Sequence, residues 1–389
     1  MADAANTAKY KNILVINLMH IGDLMLVTPV LRTLRANYPQ SRITLLADLK
    51  LRDLVEHNKW IDDCMLIDKK GKDDHLLNFI KFIMKIRNTH FDLVINLHRN
   101  ERASALAAFS GANRVIGYAK PGFSFFFSDV FPNKKAVEHQ IQSHFEVLLR
   151  SGVVDHIDDG GLEMWITPED DQKAQKLWDE HFAPGRKVVA LNIGASWETK
   201  RWLDTYFADV ADDLIEHGYA IAFYGGPGDT GIVRACIDKM AHHNSPELHV
   251  FTGKLSLAVL AGMLKRSALF ITTDSGPMHV GVAMNVPIVT MFGSSPVPGF
   301  YPYDEKDVLI KTPEKCHPCG IHVCPRKGEE FMGCMKHIKP DVVLRYAYRL
   351  LDTYGDSAGA QPAHYGQYHC EVIDLAEYMK HESHLKDCI

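Results

Sequence analysis

The chain has 389 residues, of which 46% are hydrophobic and 23% are charged. These proportions are those of a folded globular protein, and the length suggests two domains. No uninterrupted apolar run reaches about 18 residues, so the sequence predicts no membrane-spanning helix. The formal net charge of −5 argues against a nucleic-acid binder. The first residues lack the apolar core of a signal peptide, so we expect a cytoplasmic protein.

Strand-like and helix-like segments alternate in the first part of the chain. Strands are predicted at 11–18, 42–48, 64–70, 91–98 and 114–119, and the helical spacing of apolar residues predicts helices at 23–36 and 76–89. Such alternation is typical of a parallel sheet with helices on both faces.

The same pattern restarts after a polar stretch near 155–186. Strands are predicted at 187–194, 219–226, 268–276 and 287–295, with a helix at 206–218. The sequence therefore predicts an α/β protein with two Rossmann-like domains, residues 1–170 and 171–354, facing a central cleft. Residues 355–389 are predicted to form a linker and a tail with a helix-like stretch from Ile373. Because ligands of such sheets bind outside the carboxyl ends of the strands, the loops there are the candidate sites.

Asp23 lies in one of these loops, between the first strand and the first helix. An unpaired carboxylate is costly to bury, so we expect Asp23 to be solvated, to cap the helix or to act in chemistry.

Two later loops carry groups suited to phosphate. The loop TTDSGPMHV (272–280) opens a predicted helix, where Asp274 and Ser275 can cap and Gly276 allows a close backbone approach. Free N–H groups at such a helix start can bind an anion, although a plain cap has the same appearance. In NIGASWETKRW (192–202), Ser196, Thr199 and Lys200 suit a diphosphate, and a solvated turn is the alternative.

A third loop, FYGGPGDTG (223–231), contains Asp229. An acid after a Rossmann strand can accept hydrogen bonds from ribose, but the same residues also suit an ordinary turn. The fingerprint G-x-G-x-x-G does not follow the first strand, which disfavours a nicotinamide cofactor. No D-x-D occurs in the chain, so we expect no divalent ion shared between paired carboxylates and a diphosphate.

Four ordered motifs resemble a known family: INLMHIGDLMLVTPVLRTLRANYP, LHRNERASALAAFSGANRVIGY, GASWETKRW and TTDSGPMHVGVAMNVPIVTMFGSS. Over about residues 11–350 the chain is similar to the bacterial heptosyltransferases of glycosyltransferase family 9. The resemblance implies a GT-B fold, an N-terminal domain for the lipopolysaccharide-core acceptor, a C-terminal domain for ADP-heptose, and an inverting reaction without a metal. In that family the position of Asp23 is the proposed general base, and Lys200 matches the basic residue near the donor phosphates. Asp274, Ser275, Gly276 and His279 match the donor loop, and Asp229 lies near the ribose-binding acid.

Four cysteines lie within nineteen residues: Cys316, Cys319, Cys324 and Cys334. In a cytosolic protein this cluster favours a structural zinc, and an iron–sulfur cluster is the second metal interpretation. His317, His322 and His337 could substitute as ligands. Reduced thiols or a disulfide are the alternatives without a metal. We expect no cofactor in the catalysis itself.

Basic residues mark the acceptor side. Arg99, Arg102, Arg114 and Lys120 fall in or near loops after the N-terminal strands, where an anionic sugar or phosphate would bind. The aromatic segment 121–131 could touch a lipid bilayer, but core packing is the preferred interpretation. For the helix at 76–89, with Lys81, Lys85 and Arg87, a domain-surface role is preferred over a membrane-surface role.

The sequence thus predicts an ADP-heptose:lipopolysaccharide heptosyltransferase, in which Asp23 removes a proton from the acceptor hydroxyl. Its expected partners are ADP-heptose, the lipopolysaccharide core and, by peripheral contact, the inner membrane. The alternatives are a family 9 transferase for another nucleotide sugar or glycan, a nucleotide-sugar epimerase of GT-B shape, and a non-catalytic glycan-binding relative.

Overall fold

The fold is described from a computed structural model, which describes residues 9–134, 137–356 and 369–376. The chain divides into two units, Met1–Trp165 and Ile166–Ile389. None of the helices in the described ranges is both long and apolar enough to cross a lipid bilayer.

Unit 1 contains one six-stranded parallel sheet. Its strands are β1 (Asn12–Ile16), β2 (Arg42–Asp48), β3 (Asp63–Ile67), β4 (Leu93–Asn96), β5 (Arg114–Gly117) and β6 (Asp129–Val130). They lie in the order β3-β2-β1-β4-β5-β6, which is the strand order of the dinucleotide-binding folds. Since all strands are parallel, their carboxyl ends share one edge, and the loops after β1, β3 and β4 meet there.

Within its described residues, 9–134 and 137–165, six helices accompany this sheet: α1 (Ile21–Met25), α2 (Thr28–Asn37), α3 (Arg52–Val55), α4 (Leu76–Asn88), α5 (Glu101–Ala108) and α6 (Gln140–Arg150). The single helix predicted at 23–36 is two helices. Pro29 has no N–H to continue the hydrogen-bond ladder, and the Thr28 hydroxyl donates to the Met25 carbonyl over 2.9 Å. The break separates the short α1, which holds Asp23, from the longer α2.

Unit 2 contains a seven-stranded parallel sheet. Its strands are β7 (Val188–Asn192), β8 (Ala220–Tyr224), β9 (Leu248–Val250), β10 (Leu269–Thr273), β11 (Ile288–Phe292), β12 (Val308–Lys311) and β13 (Glu371–Asp374). The order is β13-β12-β11-β10-β7-β8-β9, which repeats the order of unit 1 with one added strand. Its helices are α7 (Pro168–His181), α8 (Asp204–Glu216), α9 (Thr230–Ile237), α10 (Leu257–Arg266), α11 (Gly276–Ala283), α12 (Gly333–Lys336) and α13 (Pro340–Tyr354).

The added strand comes from the predicted tail. β13 pairs in parallel with β12, from Val308 opposite Glu371 to Lys311 opposite Asp374, and the last two side chains form an ion pair. The helix predicted from Ile373 is therefore wrong at Ile373 and Asp374, and from residue 377 on it lies outside the described residues.

Candidate active site

The site in unit 1 begins at the loop after β1. Asn17 is buried there; its side-chain oxygen accepts from the Met19 N–H over 3.0 Å, and its amide donates to the Asp23 carbonyl over 3.4 Å. These two contacts fix the course of the loop before α1. Asn17 was not singled out in the sequence, since an Asn at a strand end is common.

Asp23 lies in the first turn of α1. Its side chain is 18% exposed, and its Oδ2 lies 3.9 Å from Nδ1 of the exposed His20. His20 precedes the helix and makes no side-chain capping bond. Asp23 is thus a largely covered carboxylate whose imidazole neighbour faces solvent, and its role as cap or base stays a prediction.

A pocket of about 290 Å³ opens on the same edge of the sheet. Its lining combines three cationic side chains with two imidazoles and one amide: Leu18, Met19, His20, Lys69, Lys70, His98, Asn100 and Arg102. These residues come from the loops after β1, β3 and β4 and, in the case of Arg102, from the start of α5. A pocket of this composition suits an anionic ligand group.

Two of the cations are held in place by acids. The Lys69 ammonium lies 3.0 Å from Oδ2 of the buried Asp48 and also donates to the Leu18 carbonyl. The Arg102 guanidinium pairs with Asp74 and donates to the Lys69 carbonyl. Lys70 is exposed. The pocket therefore has two positioned cations and one that is accessible to solvent.

His98 adds a neutral group to this pocket. Burial, with smaller contributions from Lys69 and His20, lowers the pKa of His98 to about 4. Among the residues that the structure describes, its buried Nδ1 has no hydrogen-bond partner. At neutral pH His98 is therefore uncharged.

The four predicted acceptor residues do not all come together. Arg102, in the first turn of α5, lines the pocket, and Arg99 is exposed in the loop between β4 and α5. Lys120 pairs with Glu101 over 3.0 Å.

Arg114 differs from the other three, because it is the first residue of β5 and so lies at the amino end of its strand. There its guanidinium contacts Asp129 over 2.8 Å, the Tyr10 hydroxyl over 2.9 Å and the Ser151 carbonyl. The structure assigns Arg114 to packing at the opposite edge of the sheet, which corrects the expectation that it follows a strand.

In unit 2 the buried amide of Asn192 joins two loops. It ends β7 and donates to the Gly194 carbonyl over 3.1 Å, to the Thr272 hydroxyl over 3.2 Å and to the Ser275 hydroxyl over 3.0 Å. β7 and β10 are neighbours, with Asn192 opposite Thr272. The predicted loops 192–202 and 272–280 are therefore adjacent.

Lys200 and Asp274 form an ion pair between these loops. The Lys200 ammonium lies 2.9 Å from Asp274 Oδ2, with side chains 18% and 6% exposed. The Ser295 hydroxyl donates to the same carboxylate. The ammonium also lies 4.7 Å from the Trp197 ring centroid, and this ring stacks on His322. Trp197, His322 and Ser295 are contacts that the sequence motifs did not reveal.

The start of α11 follows Asp274 directly. Ser275 is the residue before the helix and Gly276 its first residue. His279 is buried in the same helix, and burial lowers its pKa to about 4, opposed by Asp274 and reinforced by Lys200. In the described part of the chain, its Nδ1 has no hydrogen-bond partner, so a neutral imidazole lies near the ion pair.

Asp229 reaches the same edge. Its Oδ2 accepts from the Gly226 N–H over 2.8 Å, as in an ordinary turn. A Cβ built at Gly194 would lie 2.3 Å from the Asp229 carboxylate, so only glycine allows this approach. The predicted loop 223–231 thus lies against the predicted loop 192–202.

Ser196 and Thr199 have different surroundings. Ser196 is exposed. Thr199 is buried, and its hydroxyl contacts the Ser294 hydroxyl over 3.0 Å and donates to the Ile321 carbonyl. The structure therefore corrects the expectation of a phosphate-binding hydroxyl at Thr199. Instead, the bond to Ile321 connects the Cys-rich segment, residues 316–334, to this loop.

The four clustered cysteines are free thiols, each partly buried. Burial chiefly, and then Cys316, Cys319 and Cys324, raise the pKa of Cys334 to about 12. Within the described ranges, no three His, Cys, Asp or Glu side chains are arranged to hold a metal ion. The structural zinc therefore stays a prediction.

Known proteins are similar to this chain in sequence and in fold. The profile of glycosyltransferase family 9 (heptosyltransferase) matches residues 79–328. Lipopolysaccharide heptosyltransferase 3 of Escherichia coli is 26% identical over 282 residues, which are 70% of this chain and 81% of that protein. Lipooligosaccharide heptosyltransferase 2 of Haemophilus influenzae is 23% identical over 87% of this chain and 99% of its own length.

Among solved structures, a family 9 glycosyltransferase from Veillonella parvula has a TM-score of 0.78 at 32% identity and covers 88% of this chain and 98% of its own. E. coli ADP-heptose lipopolysaccharide heptosyltransferase II has a TM-score of 0.71 at 20% identity, with 88% and 99% covered. The fold class is therefore α/β of the GT-B type, as predicted. The chain belongs to glycosyltransferase family 9 and is a glycosyltransferase.

Proposed function

We propose that this protein transfers a heptose from ADP-heptose to a hydroxyl of the lipopolysaccharide inner core, with inversion and without a catalytic metal. Its family and the names of its relatives support this donor and acceptor. One solved structure of similar fold is of the E. coli heptosyltransferase WaaC with ADP-2-deoxy-2-fluoro heptose. The observation that carries the mechanism is the covered carboxylate of Asp23 close to a pocket lined by cations.

In the proposed reaction Asp23 is the general base. It takes the proton of the acceptor hydroxyl as that oxygen attacks the anomeric carbon. The bond from this carbon to the diphosphate oxygen breaks, and ADP leaves with the electron pair. One displacement on one face inverts the anomeric centre, so a single carboxylate is sufficient.

The cations of the pocket would hold the acceptor. Lys69, Lys70 and Arg102 line it, with Arg99 nearby, and they suit the carboxylates or phosphates of a lipopolysaccharide core. His98, uncharged at neutral pH, can hydrogen-bond a sugar hydroxyl. An acid-rich pocket would have repelled such an acceptor.

The donor would bind at the loops of unit 2. Lys200 contacts the diphosphate while Asp274 holds the ammonium in position, and the N–H groups at Ser275 and Gly276 add a second anion contact. His279 can donate a hydrogen bond without adding charge, Ser196 is accessible to the diphosphate, and Asp229 lies where it could accept from ribose. Since no D-x-D occurs, these groups are proposed to neutralise the leaving phosphate.

A donor screen tests the proposal. We expect ADP to raise the melting temperature of the purified protein, and UDP, GDP and CMP to leave it nearly unchanged. Incubation with ADP-heptose and a heptose-free core acceptor should then give one new glycosidic bond of inverted configuration, read by NMR. Preference for UDP or GDP, or a product of retained configuration, would overturn the proposal.

A further inference from the structure

Helix α4 exposes apolar side chains to solvent. Leu76 and Leu77 are 71% and 74% exposed, and Ile80 and Met84 are also exposed. At about 100° per residue these four side chains cover one side of the helix, which we call the apolar stripe. The opposite side, with Phe82 and Ile86, packs into the core of unit 1. A surface helix normally carries polar residues on its outer side, so the stripe needs an explanation.

A second group of exposed apolar side chains in unit 1 consists of phenylalanines. Phe109, Phe125 and Phe126, here the phenylalanine cluster, are all exposed, Phe125 by 90%. Ring centroids lie 5.3 Å apart for Phe109 and Phe126, and 5.6 Å apart for Phe125 and Phe126. We preferred the interpretation that segment 121–131 packs into the core. The exposed Phe125 and Phe126 correct it, because only part of the segment packs there.

One hydrogen bond and a shared core connect α4 with the elements that carry the phenylalanine cluster. Arg87, near the end of α4, donates from Nη1 to the Phe109 carbonyl over 3.4 Å. The ring centroids of Phe123 and Phe109 lie 6.2 Å apart. Phe123 packs against the same core as the inner side of α4. Exposed apolar surface on connected elements is typical of an interaction site.

The charge around this surface is positive. Lys81, Lys85 and Arg87 are exposed on α4, and within the described part of the chain none of the three forms an ion pair with a carboxylate. Residues 75–90 and 102–128 contain no Asp or Glu, although the whole chain has a net charge of −5. The surface therefore combines apolar side chains with unbalanced cations.

We propose that the apolar stripe of α4 and the phenylalanine cluster dock this protein on an anionic phospholipid bilayer. The apolar side chains enter the boundary between head groups and acyl chains, and Lys81, Lys85 and Arg87 lie at the phosphates. A second copy of the chain fits less well, because a two-fold contact would place these cations against their own copies. The inference does not depend on the identity of the sugar donor; any membrane-borne acceptor would be reached in this way.

Vesicle sedimentation with the full chain tests the inference. We expect the protein to pellet with vesicles of phosphatidylcholine and phosphatidylglycerol, to remain in solution with phosphatidylcholine alone, and to be released by high salt. Lys81→Gln/Lys85→Gln should weaken binding roughly 30-fold, since each lysine near the surface contributes about a factor of five. The triple variant Leu77→Ser/Ile80→Ser/Met84→Ser, which removes the apolar contacts, should abolish pelleting. All these side chains face solvent, so the variants should fold.

Matched controls are Lys176→Gln on α7 and Leu149→Ser on α6, both exposed at other places, and both should bind vesicles like the wild type. Transfer to a water-soluble acceptor fragment should be unchanged in every variant, which separates this test from that of the catalytic proposal. Equal binding to neutral vesicles, or full binding by the α4 variants, would overturn the inference. It would be overturned equally if the triple serine variant changed the oligomeric state and left vesicle binding intact.

Discussion

The ammonium of Lys200 lies 2.9 Å from the carboxylate of Asp274, and both side chains are largely covered. In such a pair each charge compensates the desolvation of the other, so removal of one partner leaves a buried, uncompensated charge. The pair therefore links the stability of unit 2 to the diphosphate binding that we propose for Lys200, and substitutions can separate the two.

Lys200→Ala is expected to weaken ADP binding by about 10- to 100-fold, because a charge-assisted hydrogen bond contributes roughly 1.5–3 kcal/mol. It should also lower the free energy of unfolding, since Asp274 is left buried without its cation. Calorimetric titration of ADP and urea unfolding measure the two effects.

The double variant Lys200→Ala/Asp274→Asn provides the control. It removes both charges, so we expect it to regain part of the stability but none of the ADP affinity. Lys176→Ala, on the exposed face of α7, should change neither. Unchanged ADP affinity in Lys200→Ala would return Lys200 to a purely structural role.

Lys70 tests the pocket in unit 1. Lys70→Gln removes the solvent-accessible cation and leaves the Lys69–Asp48 and Arg102–Asp74 pairs intact. We expect the KM for an anionic acceptor to rise about 10-fold, with kcat and ADP affinity nearly unchanged, since a contact to a charged group contributes roughly 1.5 kcal/mol. A KM equal to that of the wild type would place the acceptor elsewhere.

Much of this arrangement follows from the sequence, because apolar strands that alternate with helices place their following loops at one edge of a sheet. Asp23, Lys200 and Asp274 were found by that rule. Lys69 and His98 were missed, since each is an ordinary polar residue at the end of a strand, and only the neighbouring order of β3, β2, β1 and β4 brings them to one pocket.

Two expectations failed because local sequence does not show where a side chain points. Thr199 lies in a loop rich in polar residues, yet its hydroxyl turns inward to Ser294. Arg114 starts a strand that the sequence located correctly, but the register places its side chain at the amino edge. The short β6 and β9 were not predicted, since they are only 2 and 3 residues long. β12 has 4 residues, as many as the predicted β4 and β5, and was not predicted either.

Because His144 is buried, we expect the free energy of unfolding to decrease in acid. Burial lowers its pKa to about 3 in the folded protein, against about 6.5 in the unfolded chain. Above pH 6.5 both states are neutral; as the pH falls from 6.5 towards 3, only the unfolded chain takes up the proton, so the free energy of unfolding decreases. Between pH 7.5 and 5 we expect His144 to contribute a loss of about 2 kcal/mol.

Urea unfolding at these two pH values measures the difference. His144→Gln should reduce the loss between pH 7.5 and 5 by about 2 kcal/mol, whatever its effect on the absolute stability. The exposed His57→Gln should leave the difference as in the wild type. An equal loss in His144→Gln and the wild type would exclude this histidine as the cause.

The four thiols of the Cys-rich segment test the structural zinc. If they bind one ion, elemental analysis of the purified protein should give about one zinc per chain. Cys319→Ser should then lower the metal content and the melting temperature together. Cys64→Ser, outside the cluster, should leave the metal content unchanged. Four titratable thiols in the native, metal-free protein would exclude the site.

Asp23 has two interpretations, a helix cap and a general base, and they predict different losses. A cap replaced by alanine costs about 1 kcal/mol of stability and leaves the chemistry intact. Loss of a general base costs about 10²- to 10⁴-fold in turnover and leaves donor binding intact.

Asp23→Asn separates these interpretations, because Asn caps a helix about as well as Asp but is far too weak a base to accept the proton. We expect a folded variant with a melting temperature close to that of the wild type, normal ADP binding and almost no transfer to the core acceptor. His20→Gln, at the exposed imidazole 3.9 Å from the carboxylate, is the matched control and should retain most of the turnover. If Asp23→Asn keeps more than about a tenth of the wild-type turnover, against the loss expected for a base, Asp23 acts on the helix alone and another group must take the proton.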